Sequence, residues 1–240
     1  CARPGGHRYR REARAVCTFS RSPGARDTAA RYRPYMAVSA LTEPPAMSDQ
    51  RANPDQPPVS LKDHFLMATP VIGGGFFNRS LTYLCHHDEQ GAMGIVVNHC
   101  LDVELSNLLN QLDIGISSAC PDTSILAGGP VATDHGFVLH RGEPHWEGSQ
   151  RITDDISLTG SRDILCAIAA GEGPKDYLVA LGYAGWSAGQ LEAEMAENSW
   201  LTVQADLNIL FRSAAEDRLT AAGRKLGIDI DLLSAEAGHA

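Results

Sequence analysis

A predicted β-hairpin between residues 81 and 98 constrains the fold of this chain more than any other feature. Residues 81–87 and 92–98 are two apolar-rich runs of strand length, separated only by Asp88-Glu89-Gln90-Gly91. A connection this short, made of turn-forming residues, joins strands that run antiparallel. The sheet of this protein is therefore at least partly antiparallel.

Further strands and helices are indicated on both sides of this hairpin. Strands are predicted at residues 65–72, 124–126, 136–140, 177–181 and 200–204. A helical leucine pattern runs from Leu105 to residue 112, and Asp102 is its predicted N-cap. A second helical pattern covers 164–168 and ends before Gly171. A last helix is predicted at about 214–226, closed by Gly227. Together these elements predict one α+β domain over residues 59–240.

The first 58 residues have a different composition. They are rich in Arg, Pro, Ala and Ser, lack apolar periodicity and begin with Cys1. We predict that this leader, residues 1–58, is disordered. Three origins are open: a region upstream of a misplaced start, with Met36 or Met47 as the initiator; an arginine-rich transit peptide; or a basic arm for nucleic acid. The first is favoured, because a transit peptide should itself begin with Met.

Charge and composition exclude several classes of function. The formal net charge is −9, yet residues 1–46 carry nine arginines against three acidic residues, so the remainder is strongly acidic. An acidic body repels the phosphate backbone, and direct nucleic-acid binding is not expected. No stretch approaches the roughly 18 apolar residues of a membrane span. The six cysteines are dispersed, which favours a reduced, cytoplasmic location. Neither a Walker A motif nor G-x-G-x-x-G occurs, and we expect no cofactor.

Gly185-Trp186-Ser187-Ala188-Gly189 matches the G-x-S-x-G pattern of a serine hydrolase. Such a serine needs a base, and the only histidine after it is His239, so a hydrolase would have to recruit one from elsewhere, with His140 as first choice. The alternative is structural. Ser187 stands three residues before Gln190, the spacing of a capping box, in which the serine hydroxyl accepts from a helix amide. We favour the cap and keep the hydrolase as the alternative function.

Cysteine and histidine residues near the hairpin suggest a zinc site. The predicted register places His99 about six residues along the ladder from His86, roughly 20 Å, which is too far for one tetrahedral site. Strand alternation places at most Cys85 and His87 on a shared face. We therefore predict no metal site, and interpret these residues as a core cysteine with solvated histidines. The residues considered are Cys85, His86, His87, His99 and Cys100.

Two glycine-rich turns are the best candidates for a binding surface. The Gly-Gly-Pro turn at 128–130 is more typical of a bend between strands than of an anion site. The turn around residue 185 carries aromatic and polar side chains suited to a ligand or a protein partner. The predicted binding residues are Gly128, Gly129, Pro130, His140, Tyr183, Gly185, Trp186, Gln190 and Glu192.

Several separated motifs also carry a family resemblance over about residues 61–240. They are Gly91-Ala92-Met93-Gly94, Gly128-Gly129-Pro130-Val131, Gly136-Phe137-Val138-Leu139-His140, Leu181-Gly182-Tyr183-Ala184-Gly185-Trp186, Gly189-Gln190-Leu191-Glu192 and Asn198-Ser199-Trp200-Leu201. Taken together, this part of the chain resembles the bacterial AlgH/YqgE family. The chain departs from the family pattern at His86, where a glutamate is usual, and at His99-Cys100, where Arg-Pro is usual.

The resemblance implies a compact α+β domain with a strongly coiled, mixed sheet flanked by helices, in a cytoplasmic bacterial protein. It brings a label as a transcriptional regulator linked to alginate production, without a DNA-binding motif or an established reaction. Family members carry different residue types at the position of Ser187. We therefore predict a regulatory module that binds a small ligand or a protein partner rather than an enzyme, with direct DNA binding as a third and weaker interpretation.

Overall fold

The computed structural model describes residues 60–233 of the chain. The strands are β1 His64–Ala68, β2 Leu81–Asp88, β3 Gly91–Val96, β4 Cys100–Glu104, β5 Ser124–Ala127, β6 Val131–Arg141, β7 Gln150–Arg151, β8 Ile156–Thr159, β9 Tyr177–Ser187 and β10 Trp200–Gln204. The helices are α1 Leu105–Gln111, α2 Arg162–Ala170, α3 Gln190–Ala196, α4 Leu207–Phe211 and α5 Ala215–Lys225, with 3-10 turns at Pro70–Ile72 and Ile230–Leu232. The predicted leader, residues 1–58, lies outside the described residues.

The strands form one curled sheet in the order β10-β1-β2-β3-β9-β6-β8-β7, with β4 and β5 attached beside β9. Neighbouring strands pair antiparallel, except that β5 runs parallel to β9. The predicted fold class is confirmed: the protein is α+β, with a coiled, mixed sheet flanked by helices. Strand β9 is central, because its first half pairs with β5 and β6 and its second half pairs with β3.

The β2–β3 hairpin has the predicted turn, and His86 and His87 lie opposite Met93 and Ala92 as expected. A β-bulge at Cys85 then shifts the register. The extra residue changes which side chains share a face. Cys85 is buried in the core, while His87 contacts Glu192 of α3 on the other side of the sheet. The expectation that Cys85 and His87 share a face is therefore wrong.

Other boundaries differ from the predictions for local reasons. The strand predicted at 65–72 ends at Ala68, because the Thr69 hydroxyl accepts from the Val71 amide and begins a 3-10 turn. Asp102 is not the N-cap of α1. It lies within β4, and the helix begins at Leu105 with Glu104 as its N-cap. Strands β6 and β9 extend beyond their predicted limits to eleven residues each.

Helices pack against most of the sheet, and the buried apolar residues form three clusters. The largest cluster lies on one face, where α4 and α5 contribute Leu210 and Leu219. On the other face, α1 and α2 pack over β6 and β9, and α3 packs with the 70–77 loop over β1, β2 and the end of β9. Within residues 60–233 no helix is both long enough and apolar enough to cross a bilayer.

Candidate functional site

Ser187 is the last residue of β9 and lies opposite Gly91 of β3. Its backbone N–H and its hydroxyl both donate to Gln190 Oε1, at 3.0 and 3.1 Å. Helix α3 begins at Gln190, and its N-cap is Gly189 in the left-handed conformation. The glutamine therefore reaches back as a capping box requires, but the expectation that the Ser187 hydroxyl caps the helix amides is wrong. Because Ser187 stays in the strand, its hydroxyl does not reach those amides.

His140, the base suggested for a hydrolase, lies far from Ser187 along the sheet. It pairs with Tyr177 at the start of β9, so about ten residues of strand, roughly 30 Å, separate the two positions. The His140 ring is fully buried, and its Nε2 lies 2.8 Å from the Thr159 hydroxyl. The arrangement of a serine hydrolase is therefore not formed by these two residues.

The burial of His140 gives a pH-dependence prediction. Burial lowers the pKa of His140 below its ordinary value, because the charged imidazolium loses hydration. A histidine with a depressed folded-state pKa stabilises the fold above its unfolded pKa, and this stability is lost as the pH falls through the folded-state value. We expect the unfolding free energy to fall more steeply from about pH 7 to about pH 5 in the natural protein than in a His140→Gln variant. Urea denaturation at several pH values measures it.

His135 supplies the matched control for this experiment, because its side chain is exposed. A His135→Gln variant should keep the pH dependence of the natural protein. If His140→Gln and His135→Gln respond alike, the buried histidine is not the source of the acid sensitivity.

At the Gly-Gly-Pro turn, the backbone of residues 128–130 passes close to the backbone of β9. The Gly128 N–H donates to the Leu181 carbonyl at 2.8 Å, and its own carbonyl accepts from Val96 at 2.8 Å. A Cβ atom at Gly129 would lie 1.9 Å from the carbonyl carbon of Tyr183. Both glycines are buried, whereas Pro130 is exposed. This geometry favours the strand-bend interpretation, because the amide of Gly128 is already bonded and the glycines permit the close approach.

Trp186 belongs to the core rather than to an open surface. Its ring is only 6% exposed and packs against Phe77 and Trp200. The two indole N–H groups donate to the same oxygen of Glu194, at 2.9 Å from Trp186 and 2.8 Å from Trp200, and Gln190 Nε2 donates to the other oxygen at 2.9 Å. One carboxylate thus fixes two buried tryptophans and the first residue of α3.

His87 and Glu192 form a second linked pair on the same side of the sheet. The Leu61 N–H donates to His87 Nδ1 at 2.8 Å, so this nitrogen must be the acceptor and the ring proton lies on Nε2. Nε2 then donates to Glu192 Oε1 at 2.7 Å. The backbone amide of Glu192 and this bond hold the pKa of Glu192 below its usual value. Both ring nitrogens are hydrogen-bonded, so His87 links the Leu61 backbone to Glu192 and has no free nitrogen to act as a base. The pair borders a cavity of about 240 Å³.

A larger cavity of about 630 Å³ opens on the opposite side of the hairpin. We call it the central groove. Its apolar walls include the rings of Phe137 and Tyr183, which meet edge to face with centroids 5.8 Å apart. Six strands and two loop positions contribute to it because the sheet curls around this space. The groove is lined by His86, Met93, Phe137, Gly148, Gln150, Leu158, Gly160 and Tyr183.

Strand register explains part of the shape of this groove. Gly185 lies opposite Met93 and has no side chain, and the Tyr183 ring comes within 3.2 Å of where its Cβ would be. Side chains alternate along β9, so Tyr183 and Gly185 share the groove face while Trp186 points to the other. Helices α4 and α5 cover the distant part of this face only, since their residues pack against the buried cluster.

Polar groups at the groove keep unused hydrogen-bonding capacity. Within residues 60–233, the Tyr183 hydroxyl and the Gln150 amide have no hydrogen-bond partner. His86 Nε2 lies 2.8 Å from Asp88, and its side chain is 58% exposed. Across the part of the chain that the structure describes, no three His, Cys, Asp or Glu residues are grouped to hold a metal ion. The groove therefore offers an apolar floor with a few polar contacts.

The nine residues predicted to bind a ligand are thus divided among different places. Tyr183 and Gly185 belong to the central groove face, and Gln190 and Glu192 lie at α3 on the opposite side. Four are buried, namely Gly128, Gly129, His140 and Trp186, while Pro130 is exposed. Binding by these residues stays a prediction. Sequence reasoning missed His86, Met93, Phe137 and Gln150 as groove residues, because only the pairing of the strands from β2 to β7 in the sheet order brings them together.

The family is shown by comparison with known proteins. A family model described as DUF179, AlgH-like, matches residues 65–231. The chain belongs to the AlgH-like family. Relatives in this family include a UPF0301 protein of Saccharophagus degradans, 55% identical over 182 residues, which are 76% of this chain and 90% of that protein. A UPF0301 protein of Chromohalobacter salexigens is 50% identical, over 75% of this chain and 98% of that protein.

Two solved structures are similar to this chain in fold. The solution structure of the AlgH protein from Pseudomonas aeruginosa is 46% identical, with a TM-score of 0.65, covering 78% of this chain and 99% of that one. A crystal structure of a protein from Corynebacterium diphtheriae, 16% identical, has a TM-score of 0.55 and covers 78% of this chain and 95% of that one. The second likeness shows a shared fold alone.

Proposed function

We propose that this AlgH-like protein is a regulatory binding module, without enzymatic chemistry of its own, that takes a small amphipathic molecule in the central groove. One observation carries the proposal: a cavity of about 630 Å³ has an apolar floor, while the Tyr183 hydroxyl and the Gln150 amide have no partner within the described residues. Ligand sites in proteins are usually concave and mostly apolar, with a few polar groups that fix orientation.

The chemistry of the walls narrows the ligand. Phe137 and Tyr183 present aromatic surfaces at an angle to each other, and Met93 adds a polarisable side chain that adapts to different shapes. Gln150 can donate and accept, and the Tyr183 hydroxyl can do both as well. A molecule with a flat or branched apolar body and one or two hydrogen-bonding groups fits this arrangement.

The same geometry supports a binding role over hydrolysis at Ser187. The Ser187 hydroxyl donates to Gln190, and His140 is buried against Thr159 elsewhere in the sheet. A nucleophilic serine requires a base within hydrogen-bond reach. We place the protein in the cytoplasm of a bacterium, since Cys85, Cys100, Cys120 and Cys166 are all free thiols. The acidic body remains a poor partner for nucleic acid, as its charge indicates.

A fluorescent amphipathic probe tests the groove directly. We expect 8-anilinonaphthalene-1-sulfonate to bind the folded chain at this site, because its fused rings fit between the groove side chains. Tyr183→Ala and Met93→Ala, which remove wall atoms at two neighbouring strands, should each raise the dissociation constant about tenfold or more. Fluorescence titration gives the constants, and thermal unfolding shows whether each variant is folded.

Val71→Ala is the matched control for this titration. Val71 is an exposed apolar residue in the 3-10 turn, 53% accessible, and does not line the groove. Its removal should leave probe binding unchanged. Equal binding by the natural protein and by both folded groove variants would rule out the central groove as the ligand site.

A further inference from the structure

Another cavity lies between α1, α2 and the sheet, and it shares only Phe137 and Gly160 with the central groove. It has a volume of about 200 Å³. Its walls are the leucines Leu108 and Leu112 of α1, Leu165 of α2 and Leu181 of β9. Leu165 is 8% exposed, and the other three are partly exposed, so apolar surface stays open between the two helices. We call this cavity the α1–α2 pocket.

The mouth of the α1–α2 pocket carries a positive charge that forms no ion pair within residues 60–233, although the exposed carboxylate of Asp134 also lines the pocket. Arg162, the first residue of α2, lines the pocket. Within residues 60–233 its guanidinium has no carboxylate within 4.0 Å, and its recorded contact is a long one, 3.4 Å to the Asp113 carbonyl. An exposed cation at the rim of an apolar pocket attracts an anion whose remaining part is apolar.

The start of α2 adds donors at the same mouth. The N-cap Ser161 accepts no hydrogen bond from the helix amides, since its hydroxyl donates to Asp163 instead. The Ile164 amide donates to Asp163 Oδ1 at 2.9 Å, which leaves the amides of Arg162 and Asp163, within residues 60–233, for an acceptor. Asp163 is turned to other partners, because it also accepts from the Glu147 amide at 2.9 Å. Asp134 also lines the mouth and lies 3.2 Å from His135, and because its side chain is 87% exposed, solvent screens its charge.

From the apolar walls, the volume and the charge at the mouth, we infer that the α1–α2 pocket binds a medium-chain carboxylate. Its alkyl chain would lie among the leucines and its carboxylate against Arg162 and the start of α2. A pocket of about 150 Å³ holds a benzene-sized molecule, so this one accommodates an alkyl chain of about eight carbons. A neutral alcohol of the same length lacks the charge that Arg162 recognises. Longer chains exceed the space between the helices.

Calorimetric titration of sodium octanoate into the full chain tests the inference. We expect one binding site, with hexanoate bound more weakly by roughly fourfold for each methylene removed, and 1-octanol bound about tenfold more weakly than octanoate. Arg162→Ala should weaken octanoate binding about tenfold, with Arg162→Lys restoring part of it. Arg224→Ala, which removes an arginine near the end of α5, is the matched control and should have no effect.

A blocking variant and a groove variant complete the design. Leu108→Trp fills the α1–α2 pocket from a partly exposed position and should abolish binding, while Tyr183→Ala, in the central groove, should leave it unchanged. The inference fails if octanoate does not bind at about 1 mM, or if its binding survives Arg162→Ala. It also fails if Tyr183→Ala, and not Leu108→Trp, removes binding, because octanoate then occupies the central groove and only the proposed function stands.

Discussion

Gly129→Ala is expected to lower the unfolding free energy by about 3 kcal/mol or more. The new Cβ would lie 1.9 Å from the Tyr183 carbonyl carbon and 2.3 Å from the Ala184 nitrogen. These are backbone atoms, which cannot rotate away as a flexible side chain can. The turn before β6 would have to separate from β9, and the hydrogen bond from Gly128 to Leu181 would be strained with it.

Gly115→Ala is the matched control for that substitution. No atom lies within 4 Å of the position that its Cβ would take, and the residue has no left-handed backbone. Its unfolding free energy should change by less than about 0.5 kcal/mol, or rise slightly because alanine restricts the unfolded chain. Urea denaturation followed by tryptophan fluorescence measures both variants. Similar values for the two would show that the close crossing at Gly129 is not needed for the fold.

Glu194→Ala is expected to cost about 2–4 kcal/mol of unfolding free energy. Its carboxylate accepts the indole protons of Trp186 and Trp200, which are 6% and 4% exposed. Removing the carboxylate leaves two buried donors without an acceptor, and each costs about 1–3 kcal/mol. Glu194→Gln should cost less, because the amide oxygen can still accept from both rings. Urea denaturation gives the cost, and near-ultraviolet circular dichroism reports the packing of the tryptophans.

Glu197→Ala is the matched control for Glu194, because Glu197 is an exposed glutamate that follows the same helix. Its loss should leave the unfolding free energy within about 0.5 kcal/mol of the natural protein. If Glu194→Ala proves no more costly than Glu197→Ala, then the indole groups must find other acceptors. The role assigned to this carboxylate would be wrong in that case.

Local signals in the sequence were sufficient for the hairpin and for several helices. The turn at 88–91 set the pairing of His87 with Ala92, and Gly227 marked the end of α5 in the left-handed conformation. The bulge at Cys85 has no comparable signal, since the residues on either side of it are ordinary strand formers. Its effect falls after Cys85: Tyr83 and Cys85 share one core, as alternation predicts, whereas His87 lies on the other face. Register beyond the bulge therefore could not be read from alternation alone.

The candidate site was predictable only in part, because it depends on contacts between distant segments. Tyr183 and Gly185 were identified through the glycine-rich turn, and both lie on the groove face. Phe137 and Gln150 come from strands far away in sequence, and no local pattern indicates that they approach Tyr183. Ser187 shows the opposite error. Its five-residue motif matches a nucleophile elbow, but the whole sheet decides which residues lie near its hydroxyl. Gln190 lies beside that hydroxyl, while His140 of β6 pairs with Tyr177 at the other end of β9.

The most direct test of the binding function is an amide-resolved NMR titration of the full chain with a library of small amphipathic compounds. We expect compounds that bind to shift the resonances of Met93, Phe137, Gln150 and Tyr183 together, in proportion to occupancy. In a folded Tyr183→Ala variant, the resonances of Met93, Phe137 and Gln150 should shift only at compound concentrations about tenfold higher or above. Compounds that bind while leaving all four resonances in the natural protein unchanged would contradict this expectation.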